Sequence, residues 1–525
     1  MSVADLLVVD TTVRTLDPAR PTAHAVAVSG DRIVALDDEA LELRGAGTEV
    51  IDLGGAVTTP GLVDGHMHPL FGAATFYGAD LTGCRDLGDL RRSLAKAAPD
   101  TDGWVVGWGL DHNVFAGAPP TNAVLEEVLP GRPVFVRLYD GHSALASAEA
   151  LRVAGVSGPR AFEQRSEVIC DVTGAPTGML LEHAAMALVQ DVMPALPDSL
   201  LRDRLGASLD AMAATGLTGG CVMDAEAGAL ELFAGYEESA ELPLRLRVAP
   251  WCMPGDDVES VLAVQGRRGR RWVVEAVKFF IDGTVEGGTA WLEHPDCHGA
   301  GTEAFWRDPA AYTKTVQHLA DARVQTVTHA IGDAAVRHVI EALEHVETSG
   351  IRHRIEHLET LPRELVPRLV RSGLVSSMQP VHAGFTKADH SDEWSTRLGV
   401  ERARRAWACR DIRDAGGYLV LGSDWPIATY DARTVLAQAR LRRPPGTTDE
   451  PVAPAQALTG LMALEGMTSH AAYADGSRDA GRIAVGCRAD LTAFNVDPVE
   501  APADELAEAP VRLTVSAGLV THRGD

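Results

Sequence analysis

In the stretch TTPGLVDGHMHPLFG, Thr58–Gly72, an apolar run ends in two histidines one residue apart, His66 and His68. Side chains at i and i+2 of an extended strand point to one face, so both imidazoles can address a single point. A metal ion is one partner that draws two imidazoles together; solvent at a polar strand end is the other. Further along, similar runs carry polar residues at or near their ends: His329 in VQTVTHAIGD, His357 in RHRIEHLE and Asp424 in YLVLGSDWP. Singly, each has a plain structural role, as a core histidine bonded to a carbonyl or an aspartate capping the next helix. Four histidines and an aspartate at successive strand ends point together to a metal centre.

Lys278, inside VVEAVKFFID, is out of place in a different way. Val274, Ala276, Val277, Phe279, Phe280 and Ile281 leave little room for a solvated ammonium, and burying one unpaired is costly. Only four of the 47 basic residues are lysine, at 96, 278, 314 and 387, so arginine serves wherever a generic cation suffices. The amine itself is therefore the point of interest. A neutral lysine amine can take up carbon dioxide as a carbamate, an anion able to bridge two metal ions about 3.5–4 Å apart. The alternative is a lysine that snorkels to the strand end or pairs with Glu275 or Asp282.

Such residues need a scaffold that gathers strand ends. The runs PLRLRVAPWCM, VEAVKFFIDG, VQTVTHAIGD, IRHRIEHLE, LVSSMQPVH and YLVLGSDWP read as strands. Amphipathic stretches such as AAYTKTVQHLADAR, AVRHVIEALEHVET and RELVPRLVRSG fall among them. This alternation predicts an α/β fold with a parallel sheet under helical cover, and eight such units close a (β/α)8 barrel. In such barrels catalytic groups sit at the C-terminal ends of the strands. Both termini are rich in short strands, with SGDR as a hairpin signal, and predict one β unit assembled from the two ends. Residues from about 70 to 200 fit the rhythm less well and predict an inserted subdomain. There is no internal repeat.

The 525 residues, 46% hydrophobic and 23% charged, describe a globular chain with more than one structural unit. A net charge of −26 argues against nucleic acid or an anionic membrane as partner, leaving a small-molecule substrate; a homodimer is compatible with the reading. Seven scattered cysteines without a CxxC pair suggest reduced thiols. With no secretory pattern at the N-terminus and no uncharged apolar run near ~18 residues, a cytoplasmic location is expected.

The segments PGLVDGHMHP, VKFFIDGTVEGGTA, THAIGDAA, RIEHLE, GSDWP and GRIAVGCRADL resemble the amidohydrolase superfamily. Within it the chain is similar to the YtcJ-like branch (amidohydrolase family 3) that includes N-substituted formamide deformylases. RPVFVRLYDGHSALAS and GAPTGMLLE extend that resemblance over nearly the whole chain. It implies a (β/α)8 TIM-type barrel over residues 58–481, with the insertion inside it, and a composite β-sandwich from 1–57 and 482–525. It also implies a one- or two-metal centre, zinc foremost, read here as two divalent metal ions. His66 and His68 would bind the buried ion, and Lys278 would bridge as the carbamate formed with carbon dioxide. His329 and His357 would hold the second ion, and Asp424 would bind metal and move protons.

The expected chemistry is hydrolysis of an amide-type, non-peptide C–N bond in a small, apolar N-acyl or N-formyl substrate. A one-metal deaminase of a heterocyclic or exocyclic amine is the alternative, and a non-catalytic binding scaffold ranks last. His142, in YDGHSAL, could hydrogen-bond the substrate or its oxyanion, or simply hold a turn. Trp108, Glu182 and Gln379 are candidate substrate contacts, with a core role open for Trp108. Phe71, Phe76, Tyr77, Phe115, Trp291 and Trp425 lie near the motif segments and hint at an apolar substrate.

Overall fold

The computed structural model describes residues 3–524 except 77, 98, 100–102, 227, 345 and 347–349. Its centre is two parallel sheets. One has the order Trp272–Val274, Arg245–Pro250, Leu217–Ala225, Leu62–Met67; the other runs Ala276–Phe280, Gln325–Ala330, Arg354–His357, Val375–Met378, Leu419–Leu421. Leu217–Ala225 and Gln325–Ala330 are buried along their whole length, as expected of parallel strands covered on both faces.

Backbone hydrogen bonds tie the sheets at both edges. On one side Cys252 N donates to Lys278 O (2.9 Å); on the other Asp424 N donates to His66 O and His68 N to Trp425 O (both 2.7 Å). That second seam is tight. A Cβ on Gly65 would stand 2.9 Å from Leu421 O, so only glycine lets the two strands approach there. Helices between the strands cover the sheets. Pro309–Asp321 starts on an Asp308 cap with proline at its first turn, and its Tyr312 hydroxyl reaches Thr328 Oγ1 at 2.8 Å.

The termini meet. Leu491–Phe494 pairs antiparallel with Val57–Pro60 in a six-stranded sheet that also takes Thr12–Arg14, Thr22–Ala23, Val511–Ser516 and Leu519–Arg523. A four-stranded sheet of Leu6–Val9, Val26–Ser29, Arg32–Leu36 and Glu49–Asp52 shares a core with it, in which Val26 and Ile33 pack with Leu491 and Leu513. A third unit, a mixed six-stranded sheet, is built between Ala79 and Leu181. All seven cysteines are free, and among the described residues no helix is long and apolar enough to cross a membrane.

Candidate active site

The C-terminal ends of the parallel strands gather the residues singled out above. His66 ends the Leu62–Met67 strand with its ring fully buried, and its Nδ1 lies 2.7 Å from Glu356 Oε2. Glu356 is itself held by Arg354, whose Nε donates to Oε1 at 2.9 Å and whose Nη2 also reaches Gly65 O (2.6 Å) and Ser377 Oγ (3.0 Å). With Nδ1–H donated to a carboxylate, the lone pair of His66 sits on Nε2. That atom faces His68 Nε2 at 3.3 Å, Lys278 Nζ at 3.4 Å and Asp424 Oδ1 at 3.4 Å. His68 Nε2 is 2.9 Å from the same Asp424 oxygen.

His357 closes the group, its Nδ1 3.8 Å from Asp424 Oδ2. One ligand atom each from His66, His357 and Asp424 lies within 4.8 Å of the others. Yet His357 Nδ1 is buried without a hydrogen-bond partner, and Asp424 Oδ1 has only the ring nitrogens of His68 and His66 beside it. Lone pairs and carboxylate oxygens crowded together with few donors between them repel one another, and a cation is what such a set fits. His357 and Asp424 also hold left-handed backbone, φ 75° and 58°, which costs energy in a residue with a side chain and is found where function over-determines geometry.

Charge follows burial. Desolvation drives His66, His329 and His357 well below the ordinary imidazole value, so all three are neutral and able to ligate. Burial lowers Lys278 to about 8. Neither partner considered for it is at hand: Glu275 turns outward to Arg247 (3.3 Å), and Asp282 accepts from the backbone of Trp291, Ile331 and Gly332. The ammonium instead lies over the Phe280 ring, 4.9 Å from its centroid. Burial would raise Asp424, but His68, and then His382 and Lys278, outweigh it and hold the carboxyl below its usual value.

His329 stands one ring further out. Its centroid is 4.4 Å from that of His357, and its Nε2 is 3.1 Å from Gly283 O.

The amidohydrolase family pattern matches residues 49–522. The chain belongs to the amidohydrolase family. The N-substituted formamide deformylase of Arthrobacter pascens is 26% identical over 550 residues, covering 99% of this chain and 98% of its own. The YtcJ amidohydrolase of Bacillus subtilis (strain 168) is 27% identical over 530 residues, covering 95% and 98%. An uncharacterized metal-dependent hydrolase from Pyrococcus horikoshii OT3 shares the fold, with a TM-score of 0.74 at 20% identity over 95% of this chain and 99% of that one.

In this amidohydrolase the strand ends open into a cavity of about 780 Å³. His68, Lys278, His329, His357 and Asp424 form its floor, and Leu70, Phe71, Trp251, Met253, Phe280 and Phe385 give it apolar walls. His142 is on the wall as expected. Its Nδ1 is 2.8 Å from Glu182 Oε2, and Glu182 Oε1 accepts from Thr289 Oγ1. Burial lowers the His142 pKa, and Glu182 reverses the balance and raises it. Glu182 thus sits behind His142, fully buried at φ 67°, and is not part of the wall.

Trp108 and Gln379 are not on the wall either. Trp108 packs edge-on against Phe76 at 4.0 Å between centroids, and Gln379 is completely buried with both amide atoms lacking partners. Of the aromatic candidates Phe71 lines the cavity, whereas Phe76, Phe115, Trp291 and Trp425 do not, and Tyr77 lies outside the described residues.

Several wall residues escape a reading by strand ends. His382 places Nε2 3.4 Å from Asp424 Oδ2 and Nδ1 3.5 Å from Glu359 Oε1, and the other Glu359 oxygen, Oε2, accepts from Trp394 Nε1 at 2.8 Å. His183, beside His142 and Glu182 in a second group able to hold an ion, has a buried Nε2 without a partner. Asp224, at the end of Leu217–Ala225, is raised by burial to about 6 and accepts from Phe71 N. For Glu359 and His382 the available signal was in RIEHLE and QPVH, where Glu359 follows the expected ligand His357 by two residues and His382 follows the candidate substrate contact Gln379 by three.

Proposed function

We propose that this amidohydrolase is a metal-dependent hydrolase that cleaves an amide-type, non-peptide C–N bond in a small, apolar N-formyl or N-acyl substrate. The observation that carries the reading is the convergence of ligand atoms of His66, His357 and Asp424 within 4.8 Å of one another in a buried site, where His357 Nδ1 has no hydrogen-bond partner.

In this reading His66, His68 and Asp424 would hold one divalent ion, His329 and His357 would hold a second, and Lys278, as a carbamate, would serve both. Imidazole nitrogen and carboxylate oxygen are a donor set that suits zinc. Such a centre would supply Lewis acidity, lowering the pKa of water towards neutrality and polarising a substrate carbonyl. Asp424 takes the proton of the attacking water and hands it to the leaving amine. Its low pKa keeps it ionised for the first of those tasks. His382, bracketed by Asp424 and Glu359, orients the carboxylate. His142, turned by Glu182, offers an N–H to the carbonyl oxygen as that atom gains charge. Phe71, Trp251 and Phe280 exclude water and receive an apolar acyl or amine group. The same reading joins the parallel sheets into one closed (β/α)8 barrel of residues 58–481, with the insertion at its mouth and the terminal segments 1–57 and 482–525 as a β-sandwich.

A one-metal deaminase is the second reading. It is favoured by one observation: His329 stands outside the group formed by His66, His357 and Asp424, and its Nε2 is 3.1 Å from Gly283 O.

A panel of N-formyl, N-acyl and cyclic amides, run beside amino-substituted heterocycles on zinc-loaded enzyme, separates the two. Release of a carboxylate together with an amine is expected from the amides. Ammonia from the heterocycles, with no turnover of any amide, would overturn the amidase reading.

A further inference from the structure

At the opposite end of the same strands lies a second cavity, of about 260 Å³. It touches the strand starts at Gly61, Gly219 and Leu246, whereas the active site lies at the ends, so a sheet's length separates the two. Its wall carries six arginines: Arg245, Arg247, Arg268, Arg270, Arg271 and Arg488. Three of them, Arg268, Arg270 and Arg271, come from the sequence RRGRR, Arg267–Arg271. In a chain of net charge −26 a cationic concavity is an exception that asks for a reason.

Pairing within the protein accounts for part of this charge. Arg245 and Arg488 share one carboxylate, Asp490, each at 2.9 Å. Arg247 is met by Asp475 at 2.8 Å, and Arg270 by Glu241 at 2.6 Å. Arg268 and Arg271 have no carboxylate within 4.0 Å among the described residues. Arg271 spends Nη2 on Ser516, on Oγ at 2.6 Å and on the carbonyl oxygen at 3.0 Å, and its buried Nε has no acceptor. Arg268 is exposed and reaches only Gly266 O, at 3.4 Å. A β-bridge from Arg268 to Val273 fixes the turn that presents both side chains.

Struts between the strands and the C-terminal segment explain Arg245, Arg247 and Arg488. They leave Arg268 and the Arg271 Nε unexplained. The excess charge is felt by its neighbours: burial, with Arg488 and Arg271 adding to it, lowers Arg245 to about 10 despite Asp490. Guanidinium groups around a small hollow are suited to an oxyanion, whose oxygens take paired N–H donors. The volume is below the usual range for drug-sized ligands, which limits the guest to a small anion.

We propose that this cavity binds a phosphoryl group, held by Arg268 and Arg271 together with the Asp490-paired Arg245 and Arg488, as inorganic phosphate or a phosphomonoester of a few carbons. Occupied, it would link the strand starts to the C-terminal segment around Asp475 and Arg488.

The test is calorimetric titration of the metal-loaded full chain with inorganic phosphate and, separately, glycerol phosphate, with chloride at matched ionic strength as control. Saturable binding of one phosphoryl group per chain is expected, weakened about tenfold or more in Arg268→Gln and in Arg271→Gln. Hydrolysis should be unchanged in both variants. Tighter binding of glycerol phosphate would identify an ester as the guest; tighter binding of phosphate would identify the free ion. The exposed Arg268 side chain can be replaced without disturbing packing, so that variant decides even where Arg271→Gln loosens the Ser516 contact. Heat indistinguishable from chloride, or phosphate affinity unaltered in Arg268→Gln, as when phosphate sits on the catalytic metals, would overturn the proposal.

Discussion

His66 illustrates how one side chain is tuned by a residue that never reaches the cavity. Glu356 fixes the tautomer and Arg354 fixes Glu356, all three being buried, so the Nε2 lone pair has a single direction. Glu356→Gln keeps the shape and removes the charge behind the imidazole. Metal affinity measured by chelator competition should fall roughly 10–100-fold while the circular dichroism spectrum is preserved; an unchanged affinity would remove Glu356 from the site. Asp424→Asn tests the proposed base directly. Asparagine tolerates the φ of 58° held there, so the backbone should survive. Turnover should drop by roughly 10²–10⁴-fold with most of the metal retained; a metallated variant working within a few-fold of wild type would assign Asp424 to structure alone. The residues legible in the sequence were those whose type conflicts with their surroundings, such as Lys278 amid valine and phenylalanine. His382 and Glu356 were not, because each acts through a neighbour and only folding reveals which one.

At the scale of elements, strands ending in histidine or aspartate were legible because a continuous apolar run has few other uses. Leu217–Ala225 was missed although it is central to its sheet. Its Gly219–Gly220 pair reads as a turn, yet the lack of side chains there makes room for the Arg245 carbonyl and the Met67 side chain. The Trp272–Phe280 run is broken at Glu275, which sends its side chain outward to Arg247. Neighbouring strands are also joined by side chains whose protonation matters. His353 Nδ1 accepts from Thr326 N at 3.1 Å and pairs with Thr326 Oγ1 at 2.9 Å, and burial depresses its pKa to about 4. A depressed histidine stabilises the fold above its unfolded pKa of about 6.5. Below that the unfolded chain takes up the proton first, and the stabilisation is lost as pH falls towards 4. The stability advantage of wild type over His353→Asn, from urea melts, should therefore narrow by roughly 1–3 kcal/mol between pH 7 and pH 4.5. A difference that stays constant across that range would contradict a buried neutral imidazole.

Across the whole molecule, the two ends of the parallel strands carry opposite chemistry. One end gathers neutral imidazoles and carboxylates around an apolar cavity; the other gathers arginines against the C-terminal segment. The meeting of the termini in one sheet was foreseeable from their shared strand-rich texture. The internal sheet between Ala79 and Leu181 was foreseeable only as a break in rhythm, since its strands are short and its pairing mixed. It delivers His142 and Phe71's neighbour Arg137 to the cavity wall, which no local pattern announces. The central claim is that the buried convergence of His66, His357 and Asp424 is a metal site. Anomalous diffraction across the zinc edge, from crystals of protein purified without chelator, tests it most directly. Anomalous density is expected about 2.0–2.2 Å from imidazole nitrogens of His66 and His68 and from an Asp424 oxygen, with a second peak beside His329 and His357. A catalytically active crystal with no anomalous density at these side chains, after zinc or manganese has been supplied, would contradict it.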